Sequence, residues 1–148
     1  MSGRLSRLAP VQRFAEQETD TAGASLAQAE QSLSHAKSTL ADLIQYRAGY
    51  ADTQPGGDRW QSDRWRDYCE FLQKLDAAIV QQQQAIDQAE AQRNDCLRIW
   101  QQKKTRMDAL ERLSGRLRQR ALQEASRREQ KQSDDLVASR PQRDPFAN

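Results

Sequence analysis

Few residues in this sequence could do chemistry, and they are scattered. A single histidine, His35, and two cysteines, Cys69 and Cys96, stand in 148 residues. There is no His-Glu-x-x-His pair, no cysteine pair at metal-ligand spacing and no Gly-rich loop to cradle a phosphate. His35, beside Ala36, reads as an exposed or flanking helical residue. The cysteines read as small helical residues, because no convergent basic group accompanies either of them to lower a thiol pKa. The sequence therefore predicts no enzyme, no metal and no cofactor.

What remains is chemistry of contact. Tyr46, Tyr50, Trp60, Trp65, Tyr68 and Phe71 cluster on either side of the stretch Asp52–Asp58, Asp-Thr-Gln-Pro-Gly-Gly-Asp. Such a cluster either seals the end of a helical hairpin or forms a protein-binding patch in which aromatic residues dominate affinity. A second feature is basic. Arg106, Arg112, Arg116, Arg118, Arg120, Arg127, Arg128 and Lys131 outnumber Asp108, Glu111, Glu124 and Glu129, and Arg4, Arg7 and Arg13 are expected at the same end. No aromatic residue interleaves with these arginines after Trp100, so an acidic or polar protein socket fits the run better than nucleic acid does. A solvated helical face is the plain alternative.

The elements that position these groups are helices. Mean hydropathy is −1.00, 36% of residues are hydrophobic and 30% are charged, which is too little apolar surface for a globular core. Ala, Gln, Glu, Arg, Lys and Leu dominate, the composition of a long helix or coiled coil. The net charge of +2 points to no polyanionic partner. On the first helix Leu8, Val11, Ala15, Glu18, Ala22, Leu26, Ala29, Leu33, Ala36, Leu40, Leu43, Tyr46 and Tyr50 recur at steps of three and four, with one stutter at Ala22 to Leu26 beside Gly23. On the second, Tyr68, Leu72, Leu75, Ile79, Gln82, Ile86, Ala89, Arg93, Cys96, Trp100, Lys103, Met107 and Leu110 keep the same spacing, followed less regularly by Leu113, Leu117, Ala121 and Leu122.

Between the two runs, Pro55, Gly56 and Gly57 make a bend. Helix 1 is expected at about 6–51, with Ser6 as N-cap, Pro10 in its first turn and Gly49 as a possible C-terminal cap. The turn is expected at 52–58. Helix 2 is expected at about 59–133, capped by Asp58 with Gln61, with a start at Ser62 or Asp63 as the alternative, and 140–148 as a disordered tail. The fold predicted is all-α: a long antiparallel two-helix coiled coil, an α-hairpin forming one domain over 1–139, with a C-terminal helical overhang. A bend near 54–56 pairs residues whose numbers sum to about 110, so that Leu8 faces the region of Lys103 and the overhang runs roughly 25 to 30 residues, about 40 Å. Cys69 and Cys96, separated by roughly 40 Å on one helix, cannot bridge within a chain. No segment is apolar enough for a signal peptide or a membrane span, which predicts a cytoplasmic protein.

Three stretches carry a family resemblance: Arg-Leu-x-x-Val-Gln-Arg-Phe at Arg7 to Phe14, Leu43-x-x-Tyr46-x-x-x-Tyr50, and Phe71-x-x-x-Leu75-x-x-Ala78. With the overall layout they resemble the FliJ family of bacterial flagellar type III export. The resemblance implies a coiled coil similar to the central stalk subunit of rotary ATP synthases. Such a stalk puts its paired helix termini into the hexameric export ATPase, promotes ring assembly and links the ATPase to the export gate protein FlhA, and the family is also linked to export chaperones. Gate binding would carry over to Leu43, Tyr46, Tyr50, Phe71, Leu75 and Ala78. The chain departs from the family at Thr39, commonly Gln, and at Gln82, which can be His. The basic residues expected to enter the ring are Arg4, Arg7, Arg112, Arg116, Arg120, Arg127 and Arg128. A protein of this kind would sit at the inner face of the membrane export apparatus. The competing reading is a structural or nucleic-acid-associated coiled coil, and a parallel dimer without a hairpin is the architectural rival.

Overall fold

Straight-chain residues and alanine lose little freedom in a helix, and long runs of them propagate it at little cost. The computed structural model describes residues 2–52 and 62–140. They form α1, Ser2–Asp52, of 51 residues, and α2, Ser62–Ser139, of 78 residues. The architecture is the expected all-α hairpin, with no strand among the described residues.

Several boundaries differ from the sequence reading. α1 begins at Ser2, so Ser6 is not an N-cap; its hydroxyl donates to the Gly3 carbonyl at 3.1 Å inside the helix. Pro10 lies within the helix, beyond the first turn, where its missing N–H leaves the Ser6 carbonyl without its usual donor. Gly49 is helical and does not cap, since α1 continues to Asp52. α2 extends past 133 to Ser139. The Pro55–Gly57 bend, Trp60 and the Asp58–Gln61 capping pair lie outside the described residues, as do 141–148.

The chain divides into two units, Met1–Glu18 with Lys104–Asn148, and Thr19–Lys103. In the second unit α1 and α2 run antiparallel. Lys37 Nζ lies 4.0 Å from Glu90 Oε1, Gln82 Nε2 donates to the Ala36 carbonyl at 2.9 Å, and the Tyr50 and Phe71 rings are 4.5 Å apart. This pairing is displaced along α2 by roughly three turns of about 3.6 residues from the expected one.

The unit Met1–Glu18 with Lys104–Asn148 corrects the pairing in the same direction. Leu8 does not face Lys103; with Arg4, Arg7 and Val11 it borders a groove shared with Leu113 and Leu117. Arg106 Nη1 lies 3.8 Å from Glu18 Oε2. Because α1 meets α2 further along, the unpartnered part of α2 is shorter than expected. Every described residue from 125 to 140 is exposed, a helical extension of ~20 Å at about 1.5 Å per residue.

Burial also revises the seam. On α1 the covered stripe is Leu8, Gln12, Ala15, Thr19, Ala22, Leu26, Ala29, Leu33, Ala36, Leu40, Leu43, Arg47 and Tyr50. These steps alternate four and three without interruption, so there is no stutter. Gln12, Thr19 and Arg47 hold places that apolarity had assigned to Val11, Glu18 and Tyr46. On α2 the seam is the expected one from Tyr68 to Leu110, and it continues in phase through Ser114, Leu117, Ala121 and Glu124, while Leu113 lies at its edge, bordering the groove with Leu8, and Leu122 is exposed. The core is thin: its buried hydrophobic residues are Ala15, Ala22, Ala29, Leu33, Tyr68 and Leu75.

Candidate functional site

The aromatic cluster belongs to the unit Thr19–Lys103, where the last turns of α1 pack on the first turns of α2. Heptad phase sets its anatomy. Tyr68 and Tyr50 fall on the seam, stack at 5.2 Å with 20° between ring planes, and Tyr68 is only 6% exposed. The Tyr68 hydroxyl donates to the Ala51 carbonyl at 3.3 Å, which satisfies its polar end while the ring is covered. Phe71 lies one step to the side and meets Tyr50 at 57°.

Tyr46 and Trp65 form the rim. Tyr46 sits edge-on to Phe71 at 6.2 Å and 77°, yet 57% of it is exposed. Trp65 stacks on Tyr68 at 5.6 Å and is 44% exposed. The cluster thus seals the helix pair with one set of rings and leaves another exposed to solvent. Beside Tyr46 a shallow groove runs along α1, lined by Asp42, Gln45, Tyr46, Gly49 and Tyr50.

The six residues assigned to one stripe occupy different depths. Leu75 is 8% exposed and Leu43 half-buried, both in the seam, so they support the patch from beneath. Tyr46, Phe71 and Ala78 lie to one flank. The two departures from the family pattern are engaged within the fold: Gln82 bonds the Ala36 carbonyl, and Thr39 Oγ1 donates to the His35 carbonyl at 3.0 Å. On the other flank Arg47 closes the helix pair against Asp76, Nε to Oδ1 and Nη2 to Oδ2, the latter at 3.3 Å. The hydrogen bond that Arg47 donates to Asp76, then the charge of that carboxylate, raises the Arg47 pKa above its ordinary value. The sequence reading placed Trp65 in the aromatic cluster and Gly49 at a cap, but it gave neither of them, nor Asp42, a place in the contact surface. Their signal was there in the heptad phase, which puts 42, 46 and 49 on one outer face of α1.

The basic residues share more of one face than the sequence reading specified. Arg4 and Arg7 border the groove with Leu113, near Val11 at 40% exposure. Arg112, Arg116, Arg120, Arg127 and Arg128 are all exposed. At about 100° per residue, Arg112, Arg116, Arg120 and Arg127 fall within a sector of roughly 80° on the face of α2 opposite the seam position Ser114. Arg128 lies apart from them, nearer the seam. Among the described residues no group of three or more His, Cys, Asp or Glu could hold a metal ion. His35 is exposed, and Cys69 and Cys96 are free and half-buried. No described helix is long and apolar enough to cross a membrane.

An antiparallel helical hairpin with an aromatic face and a helical extension defines the class, an all-α coiled-coil-like protein. The particular family follows from comparison with known proteins. Residues 4–145 match the family model described as Flagellar FliJ protein. The flagellar FliJ protein of Escherichia coli K12 is 30% identical over 143 residues, covering 93% of this chain and 95% of that one. The FliJ protein of Salmonella typhi is 30% identical over 134 residues, covering 89% and 91%. The chain belongs to the flagellar FliJ family.

Proposed function

We propose that this protein is a non-enzymatic, stalk-like component of the flagellar type III export apparatus. In this reading it works in the cytoplasm at the inner face of the membrane export apparatus and needs no cofactor. One region engages the hexameric export ATPase and another the export gate protein FlhA. The observation that carries it is the aromatic rim: Tyr46 lies edge-on to Phe71 and stays more than half exposed. A large ring held by a neighbour yet open to solvent is a ready anchor for a protein partner, because little conformational entropy remains to be lost on binding.

The gate-contacting set is Tyr46, Phe71 and Ala78, with Tyr50, Leu43 and Leu75 holding it in shape. The ATPase-contacting set is Arg4, Arg7, Arg112, Arg116, Arg120, Arg127 and Arg128. Arg112, Arg116, Arg120 and Arg127 share the outer face of α2, which suits an acidic or polar socket wall laid along that side of the helix. Family membership supports the same reading, and export-chaperone handling belongs to it without an assigned surface. The test is addition of the purified protein to its export ATPase at limiting enzyme concentration. Hydrolysis should rise and hexamers should accumulate; unchanged activity and assembly state would remove the stalk role.

A further inference from the structure

Both seams in the unit Thr19–Lys103 repeat every seven residues without a break. A strict heptad pattern has a consequence for antiparallel pairing. Sliding one helix past the other by seven residues, about 10 Å, again sets seam residue against seam residue. Shape must therefore choose the register, and along much of this seam shape says little. Ala22, Ala29 and Ala36 on α1 face a stripe that includes Ala89 and Cys96, and small side chains leave a shallow groove lined by Ser25, Gln28, Ser32 and Gln92. The charge pairs hold the register only weakly: a slip would set Lys37 against Gln83 or Leu97 in place of Glu90, but a pair this exposed contributes little.

One contact differs in kind. A Cβ built on Gly23 would stand 3.4 Å from Nε1 and 3.5 Å from Cδ1 of Trp100. The indole, the largest side chain on the α2 seam, lies over α1 at its one glycine in this part of the helix, with room there for a methyl group and nothing larger. A slip of one heptad would bring Trp100 to the level of Glu30 in one direction, and in neither direction to a glycine. The remaining glycine of α1 within this unit, Gly49, lies beside Tyr46 and far from that level.

We propose that Trp100 seated on Gly23 is the register lock of this unit, and that it thereby positions the aromatic cluster. A slip of one heptad would separate the Tyr50 and Phe71 rings, now 4.5 Å apart, by about 10 Å of axial displacement. Trp100 and Gly23 are positioning residues: they touch none of the rim, yet they decide whether Tyr46 finds Phe71. The inference concerns the isolated chain and does not depend on what binds the rim.

Cross-linking between engineered cysteines tests it, with a short bismaleimide that spans the reach of the Lys37 and Glu90 side chains. In a full-length chain carrying alanine at Cys69 and Cys96, the pair Lys37→Cys with Glu90→Cys reports the observed register. Lys37→Cys with Gln83→Cys, or with Leu97→Cys, reports a slip of seven residues in either direction. The parent should give the 37–90 product in preference to either offset product, and Gly23→Ala should keep it, since the added methyl meets the indole at ordinary contact distance. Trp100→Ala should lower the 37–90 yield several-fold and raise one of the offset pairs. Gly23→Leu should abolish the 37–90 link. Retention of the 37–90 cross-link at parental yield in Trp100→Ala overturns the proposal, whatever Gly23→Leu does to folding. A fall in that yield with no gain at either offset pair, which is local unfolding, overturns it as well.

Discussion

Tyr46 and Leu75 lie close together in the aromatic region but at different depths, and that difference supports a quantitative prediction. Tyr46 is 57% exposed and its packing is the edge contact with Phe71. Such a contact contributes about 0.5–1.5 kcal/mol when the rings are buried, so at this exposure Tyr46→Ala should destabilise by ~0.5 kcal/mol. Leu75 is 8% exposed in the seam, and Leu→Ala in a packed core costs about 2–5 kcal/mol. In so thin a core the lower end applies, ~2 kcal/mol. Binding should order the two the other way. If Tyr46 anchors the gate contact, its loss should cost about 2 kcal/mol of affinity, roughly 30-fold. The assay pairs urea unfolding followed by helical circular dichroism with titration of the purified cytoplasmic part of the gate. The reasoning fails if Tyr46→Ala unfolds as easily as Leu75→Ala. It fails equally if Tyr46→Ala binds the gate with unchanged affinity.

Two further expectations follow from exposure. Gly115 is mid-helix in α2 with nothing within 4 Å of an added Cβ, so Gly115→Ala should stabilise that part of the helix by about 1 kcal/mol, visible as a higher urea midpoint with unchanged slope. Every described residue from 125 onward is exposed, so a chain ending at Glu124 should melt within a degree or two of the full chain, roughly the resolution of the experiment. The same truncation should lose stimulation of the ATPase, because it removes Arg127 and Arg128 with the rest of the extension. A large drop in melting temperature would mean that the extension packs on something.

The charge pair on the far flank makes a weaker contribution. Arg47 has a raised pKa, so whatever stability its pairing with Asp76 adds is complete at neutral pH. By the sign of that shift it is lost only as pH climbs through the strongly alkaline range in which the folded-state guanidinium would lose its proton. Both partners are accessible to water and to counterions, and screening should keep the pair from governing the helix contact.

Helix, hairpin and family were legible in the residues themselves. Helix formation is local, so composition and the three-four spacing sufficed to find α1 and α2, and on α2 every seam position from Tyr68 to Leu110 was read correctly. Two kinds of fact were not local. The first is phase where apolarity misleads: Val11 looks like core and Gln12 does not, yet the repeat running back from Leu26 puts Gln12 and Thr19 inside and leaves Val11 at the edge. The second is register. A heptad pattern is unchanged by a shift of seven, so neither helix alone could say that Leu8 meets Leu113 and not Lys103, or that Arg47 reaches Asp76. Only packing one helix on the other, with an indole over a glycine and two tyrosine rings stacked, made those choices. The same packing separated Tyr46, left open at the rim, from Leu75, covered beneath it.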